Sequence, residues 1–472
     1  MSHFGILSFP GTGHLHPLTA LGRALVRRGH QVTVFQVPDA ERLVRAAGLG
    51  FWPIGKADFP LGTLRVQDQR LGRLQGMQAL GFIFERFCRH SAVVLREAPG
   101  ALRSAGVDGL VVDQAEFAGG TVAERLGLPF ATAILTLPLN LDPRVPFCAF
   151  HAGPQPGPWA RLRTQAGNAR VGLLASGLRA LINRQRQAWG LGPKANLDGF
   201  YSGLAQVAQV AAAFDFPQRH LAPHFHYAGP FLETGARRPV DFPWERLEPG
   251  RPLVFVSMGT LQNGMKRVFR AVAEACAAFP VQTVLSLGGN LAPEALGPLP
   301  GEPIVVRYAP QLELLRKSAL TVFHGGLNTA LESLSCGVPM VAVPVTMDQP
   351  GVGARVAWTG TGKAIPVARL SVERLRAAIA EVLGNPHYRI QAQRLQRQMA
   401  LTPGAQRAAG LIEGALLNGL SEGPKGGLKV AKPEPLATWR PENRPAVPAA
   451  GTHACSGLTC CNLSGGCPPD ER

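Results

Sequence analysis

The stretch "HGGLNTALESLSCGVPMVAVPVTMDQPG", residues 324–351, decides how the rest of the chain is read. It follows an apolar run, "LTVFHGG" (320–326), so the local pattern is a strand, a Gly-Gly turn and a helix beginning near Asn328. Glycines let the backbone turn sharply and present its N–H groups. The helix start adds unpaired donors and the positive end of a dipole, which together suit a diphosphate. His324 at the strand tip can donate to one phosphate, and Asn328 and Thr329 to the other, beside Gly326. The plain alternative is a strand–turn–helix in which Asn328 or Thr329 serves only as N-cap.

Working outward, "RYAPQLELL" (307–315) places Tyr308 and Gln311 just past another strand end. A flat ring there can stack on a nucleobase. Glu332, one turn into the helix, can accept the hydroxyls of a ribose, and Asp348 with Gln349, beyond the next strand, those of a hexose. Base, ribose, diphosphate and sugar are then met in chain order.

The same strand–turn–helix unit repeats along the chain. Strands are expected at 4–9, 31–37, 109–114 and 130–135, and again at 253–259, 282–289, 304–309, 320–326 and 339–345. Their continuous apolar character means burial on both faces, as in a parallel sheet between helices. The Pro-, Gly- and charge-rich segment 232–252 divides the two series. The expectation is an α/β protein of two doubly wound domains facing across a cleft, 1–231 and 253–385. Ligands in such sheets sit at the carboxyl ends of the strands. Helices at 386–420 are expected to pack back on the first domain. From 421 to 472 the composition turns to Pro, Gly and Ser, which predicts a disordered tail.

The signature from Tyr308 to Gln349, "APQ…HGG-N-T-LESLSCGVPMVAVP…DQ", resembles the nucleotide-sugar box of the family-one UDP-dependent glycosyltransferases. With the strand and spacer pattern, the likeness extends over roughly residues 1–418. It implies the GT-B fold, two Rossmann-like domains with the sugar-nucleotide donor held by the second. Carried over by position, Tyr308 would stack on uracil and Gln311 contact base or ribose. His324, Gly326, Asn328 and Thr329 would bind the diphosphate, Glu332 the ribose, and Asp348 with Gln349 the sugar. Thr260 of "SMGT" would add a phosphate contact. Two departures stand out: Tyr308 replaces the usual Trp, and Val352 occupies a position where Asn is common. The "DQPG" ending is similar to that of carotenoid glucosyltransferases of the zeaxanthin type.

Attack of a hydroxyl on an anomeric carbon needs a base. "FPGTGHLHP" puts His14 in a Gly-rich loop after the first strand, and Asp113 ends another strand in the same domain. A carboxylate fixes the tautomer of such an imidazole and stabilises its cation. In the family the corresponding His and Asp form this dyad. His16 is a rival base, and Asp113 is alternatively a loop cap. The chain contains no D-x-D motif, so no metal or other cofactor is expected, and the helix dipole with His324 would carry the leaving-group charge. Direct displacement implies inversion. The expected reaction moves glucose from UDP-glucose to a hydroxyl of a lipophilic acceptor such as zeaxanthin. Sterol, flavonoid or macrolide acceptors, a lipid-linked GlcNAc transferase, and a non-catalytic sugar-nucleotide binder are the competing readings.

The formal net charge is +17. No zinc-finger spacing, RNP-like aromatic motif or Lys-rich arm accompanies it, so a nucleic-acid partner is not expected. Residues 143–197 hold eight Lys or Arg and no Asp or Glu. Within them "ARVGLLASGLRALINRQRQAW" (169–189) reads as a basic amphipathic helix. Val171, Leu174, Leu178, Leu181, Ile182 and Trp189 lie on one face, with Arg179, Arg184 and Arg186 off it. Such a helix can lie on an anionic membrane or pack its apolar face into the first domain. Without a basic leader or a long apolar run, a cytoplasmic protein with peripheral membrane contact is expected. Cys88, Cys148, Cys276 and Cys336 read as reduced thiols. Cys455, Cys460, Cys461 and Cys467 lack the paired spacing of a zinc knuckle.

Overall fold

The computed structural model describes residues 1–422 except 73, 75, 218–220, 233–239, 261–263, 290 and 403. The expectations for the tail, its four cysteines and part of the 232–252 segment lie outside the described residues.

Seven strands form the first sheet: β1 (His3–Leu7), β2 (Gln31–Gln36), β3 (Gly50–Pro53), β4 (Gly109–Asp113), β5 (Phe130–Ile134), β6 (Gln206–Ala208) and β7 (Phe225–Tyr227). Their order is β3-β2-β1-β4-β5-β6-β7, and every pairing is parallel. Six form the second: β8 (Leu253–Ser257), β9 (Gln282–Ser286), β10 (Ile304–Val306), β11 (Ser318–Phe323), β12 (Met340–Ala342) and β13 (Gly362–Ala364). Their order is β10-β9-β8-β11-β12-β13, again all parallel. Each sheet therefore reverses its winding once, between β1 and β4 and between β8 and β11. Those switch points open crevices at the strands' carboxyl ends.

The apolar runs are strands because both faces meet helices: Phe4, Ile6, Leu7, Val254, Phe255 and Val256 have no appreciable exposure. Most strands end before their apolar runs do. β8 stops at Ser257 and β11 at Phe323, and the residues beyond peel away from the ladder into the loops that build the site. The short strands β3, β6, β7 and β13 are additions that the sequence pattern did not mark.

The basic segment differs from expectation. Residues 169–189 are not one helix but the end of Pro158–Leu174 and the whole of Ser176–Ala188, broken at Ala175. Leu178 and Ile182 are buried, whereas Leu174 is 37% exposed. Arg186, expected on the outer face, is 2% exposed because Nη2 donates to Glu124 Oε2 at 2.7 Å and Nη1 to Thr121 Oγ1. The final helix, Gly404–Glu422, packs on Thr12–Arg27 through Ala408, Ala409, Ile412 and Leu416. Its Glu413 accepts from His30 at 3.0 Å and pairs with Arg28.

One apolar cluster unites residues from both halves: Leu137, Cys148, Val210 and Phe214 pack with Phe323, Leu327, Leu331, Val352 and Val356. Beside it, Arg355 reaches across to Asp215, with Nη2 2.6 Å from Oδ1. Tyr227 donates its hydroxyl to the other carboxylate oxygen at 2.8 Å. The guanidinium also lies over the Phe216 ring at 4.2 Å.

Candidate active site

The first crevice carries an imidazole and a carboxylate. The helix Thr12–Arg27 starts at Gly11, so His14 sits in its first turn, directly after β1. Asp113 ends β4, the strand adjacent to β1. His14 Nδ1–H donates to Asp113 Oδ2 at 2.8 Å, and the carboxylate fixes that tautomer, turning Nε2 to the other side of the ring. Phe9 N–H donates to the same oxygen at 3.1 Å and Ala115 N–H to Oδ1 at 3.0 Å. The carboxylate is thus loop cap and imidazole orienter together. Burial, the largest single influence on His14, pulls its pKa down. Asp113, by charge and hydrogen bond, with the charge of Asp348, outweighs it, and the net shift is upward. His16, two residues on, is exposed.

The second crevice is a cradle of glycines around His324. Gly259 follows β8 and Gly326 follows β11. A Cβ on Gly259, whose φ is 71°, would lie 2.5 Å from His324 Nε2, and one on Gly326 would overlap the same atom. Only glycine leaves room for the ring, whose Nε2 faces the backbone of both turns. Burial pushes the His324 pKa down to about 4, so the ring is neutral near pH 7. Its Nδ1 has no hydrogen-bond partner among the described residues. The N-cap of the helix Leu327–Ser335 is Gly326, not Asn328 or Thr329. A glycine cap carries no side chain to accept from the first turn, so those N–H groups are left for another acceptor.

Asn328 has a further role. Its Nδ2 donates to the Gly13 carbonyl at 2.8 Å, and its Oδ1 accepts from Gln209 at 3.0 Å. The Gly13 carbonyl is open because Pro17, four residues on, has no N–H to offer it. Thr12 and Thr260 share a hydroxyl hydrogen bond of 3.0 Å. These contacts hold the two crevices against each other. Thr12, Gly13 and Gln209 gave no signal in the sequence, since their partners lie more than a hundred residues away.

Of the other predicted residues, Gln311 Nε2 donates to Glu332 Oε2 at 2.7 Å, and Glu332 is buried. Thr329 is buried on the same helix. The Tyr308 ring is 53% exposed, with its hydroxyl over Gly289, and is open to stacking. Asp348 immediately precedes the helix Gln349–Trp358 and follows Met347, whose φ of 61° is strained for a non-glycine residue. Burial raises the Asp348 pKa, opposed by the nearby charge of His14. Gln349 is buried, and its Oε1 accepts from Val345 and Thr346 N–H at 2.9 and 3.1 Å. That oxygen braces its own loop. Among the described residues no group of three His, Cys, Asp or Glu side chains could hold a metal ion.

Two parallel, doubly wound sheets whose switch points face one another, one bearing a carboxylate-oriented imidazole and the other a glycine-lined helix start, define the GT-B class of glycosyltransferase. The sequence comparisons specify the family. Residues 201–401 match the model described as UDP-glucoronosyl and UDP-glucosyl transferase. A zeaxanthin glucosyltransferase of Pantoea ananas is 32% identical over 422 residues, covering 89% of this chain and 97% of that protein. A second, of Pseudescherichia vulneris, is 33% identical over 425 residues, covering 88% and 98%. Among solved structures, the glycosyltransferase of kitacinnamycin superposes with a TM-score of 0.69 at 24% identity, covering 88% of this chain and 99% of that one. The chain belongs to the UDP-glucoronosyl and UDP-glucosyl transferase family and is a glycosyltransferase. No helix among the described residues is long and apolar enough to cross a membrane.

Proposed function

We propose that the protein is an inverting glucosyltransferase that moves glucose from UDP-glucose to a hydroxyl of a lipophilic acceptor of the carotenoid type, such as zeaxanthin. The two relatives at 32% and 33% identity support that donor and acceptor class. The observation that carries the chemistry is the His14–Asp113 pair, held at the switch point whose loop touches Thr260 and Asn328 of the other half.

His14 Nε2 accepts the proton of the acceptor hydroxyl while its oxygen bonds to the anomeric carbon. The bond from that carbon to the β-phosphate oxygen breaks, and UDP leaves with the electron pair. An α-linked donor gives a β-glucoside. Asp113 stabilises the imidazolium. Tyr308 stacks on the uracil, and Gln311 and Glu332 take base and ribose. Gly326, Thr329, Asn328, Thr260 and His324 surround the diphosphate. Asp348 and Gln349 hold the glucose, Gln349 through its amide nitrogen. The first-turn N–H groups of Leu327–Ser335 and neutral His324 receive the leaving-group charge without a metal.

Incubation with UDP-glucose and zeaxanthin, followed by mass spectrometry, tests the reaction. His14→Ala should abolish glucoside formation and leave UDP affinity unchanged, and activity should persist in EDTA. A His14→Ala variant with wild-type turnover would sink the mechanism.

A peripheral membrane contact fits the same acceptor. It is assigned to the helix Pro158–Leu174, where Trp159, Leu162 and Leu173 are exposed beside Arg161, Arg163 and Arg170. Wild-type protein should sediment with anionic liposomes at low salt, and a Trp159→Ser, Leu162→Ser variant should remain in the supernatant.

A further inference from the structure

Arg86 lies on the long helix Gly76–Ala105 and is 4% exposed. Its Nη1 donates to Asp68 Oδ1 at 3.0 Å. Nε and Nη2 are buried with no hydrogen-bond partner among the described residues. Unpaired buried donors on a charged group are costly, and stacking of the guanidinium over Phe9, 5.3 Å from the ring centroid, offsets only part of that cost. Arg86 also lines an open cavity of about 470 Å³ together with Leu61, Val66, Gln67 and Phe82.

Phe9 touches both the Arg86 guanidinium and the candidate base. Its ring meets His14 edge-on with centroids 5.5 Å apart. The guanidinium and the imidazole can therefore be no farther apart than those two spans laid end to end. Burial and the charge of Arg86 both pull the His14 pKa down, against Asp113 and Asp348.

We propose that Arg86 selects the acceptor: its Nε and Nη2 groups bind an oxygen on the atom next to the one bearing the reacting hydroxyl. The favoured acceptor is then a ring with a hydroxy-ketone or vicinal oxygen pair, not one that is plain hydrocarbon around its carbinol. The inference rests on His14 as the base. Two hydrogen bonds of ordinary length and a vicinal oxygen pair span roughly 8 Å, inside the limit that Phe9 sets.

The test compares acceptors that differ at that one oxygen: zeaxanthin against its 4,4′-diketo counterpart, and 2-ethylphenol against guaiacol. Wild-type enzyme should favour the oxygenated member of each pair by about tenfold or more in kcat/KM, the size expected of a charge-assisted hydrogen bond. Arg86→Met should erase the preference, and Arg86→Lys, which keeps a charged donor, should retain part of it. Unchanged UDP affinity in both variants certifies the fold. In Arg86→Met the acid limb of the pH–rate profile should also move to higher pH, since a cation that lowers the His14 pKa is gone. Equal loss with both members of a pair and an unmoved acid limb would make Arg86 merely structural and overturn the proposal. So would a wild-type enzyme that treats the members alike or glucosylates none of them. If the carotenoids are not substrates but guaiacol is preferred in an Arg86-dependent way, the carotenoid reading falls and this one stands. Loss of turnover with every hydroxylated compound would instead remove the reaction itself.

Discussion

Replacing Asp113 by Asn tests the chemistry with almost no change in volume. The native carboxylate is 1% exposed and accepts three N–H groups: His14 Nδ1–H at 2.8 Å, Phe9 N–H at 3.1 Å and Ala115 N–H at 3.0 Å. An amide has one acceptor oxygen. If it stays on Ala115, the NH₂ group faces His14, and the imidazole must turn its proton to Nε2, the atom that has to accept from the substrate. General base catalysis is worth about 10²–10⁴-fold, so kcat should fall by that factor. Loss of buried charge-assisted bonds should also lower stability by about 1.5–3 kcal/mol. The pH response follows from the raised His14 pKa. Wild-type activity should fall as pH drops through a value above the ordinary imidazole figure near 6.5, because the protonated ring cannot act as a base. The ring's contribution to stability runs the opposite way, fully present below that figure and lost as pH rises through the folded value. In Asp113→Asn burial dominates, and the acid limb should move to lower pH. Stopped assays with UDP-glucose across the pH range, with UDP titrations as a control for folding, read all of this. A variant that keeps more than about a tenth of wild-type kcat, with its acid limb unmoved, would refute the reasoning.

Two further perturbations address the cradle and the join between the halves. Gly259→Ala puts a side chain at φ 71°, costing about 1–2 kcal/mol, and drives its Cβ to 2.5 Å from His324 Nε2. UDP affinity by calorimetry should fall about tenfold or more, and wild-type affinity in a folded variant would show that the cradle does not hold the diphosphate. Asp215→Asn removes the charge that partners fully buried Arg355 and should destabilise the protein by about 3–5 kcal/mol in thermal or denaturant unfolding. A loss below about 1 kcal/mol would mean that Phe216 and the surrounding apolar cluster, rather than the ion pair, hold the halves together.

Much of this was legible in the chain. Turn glycines, helix starts and doubly buried strands are local statements, because backbone sterics and hydrophobic period are set by neighbouring residues. The segment from Tyr308 to Gln349 therefore announced its strand–turn–helix order and the family likeness, and it marked Glu332 and His324 as site candidates. What escaped were features with weak local signals. The strands β3, β6, β7 and β13 are three or four residues long, too short for a period to register. The amphipathic reading of 169–189 ran through a break at Ala175 that carries neither Gly nor Pro.

The tertiary structure alone decided how these parts act on one another. His14 and Asp113 stand 99 residues apart and become a pair only because β1 and β4 are neighbours in the sheet. Asn328 could be read as a cap or a phosphate ligand from its own segment. Its amide also spans the cleft to a carbonyl that Pro17, in the other half, leaves open, a partner its own segment does not reveal. Arg86 carries no motif that marks it in the chain, and only the fold buries it against Phe9 with two donors unmatched. The division has one physical cause: conformational preference is a short-range property of the chain, whereas burial, charge and hydrogen-bond partnership are fixed by whichever distant residues packing brings alongside.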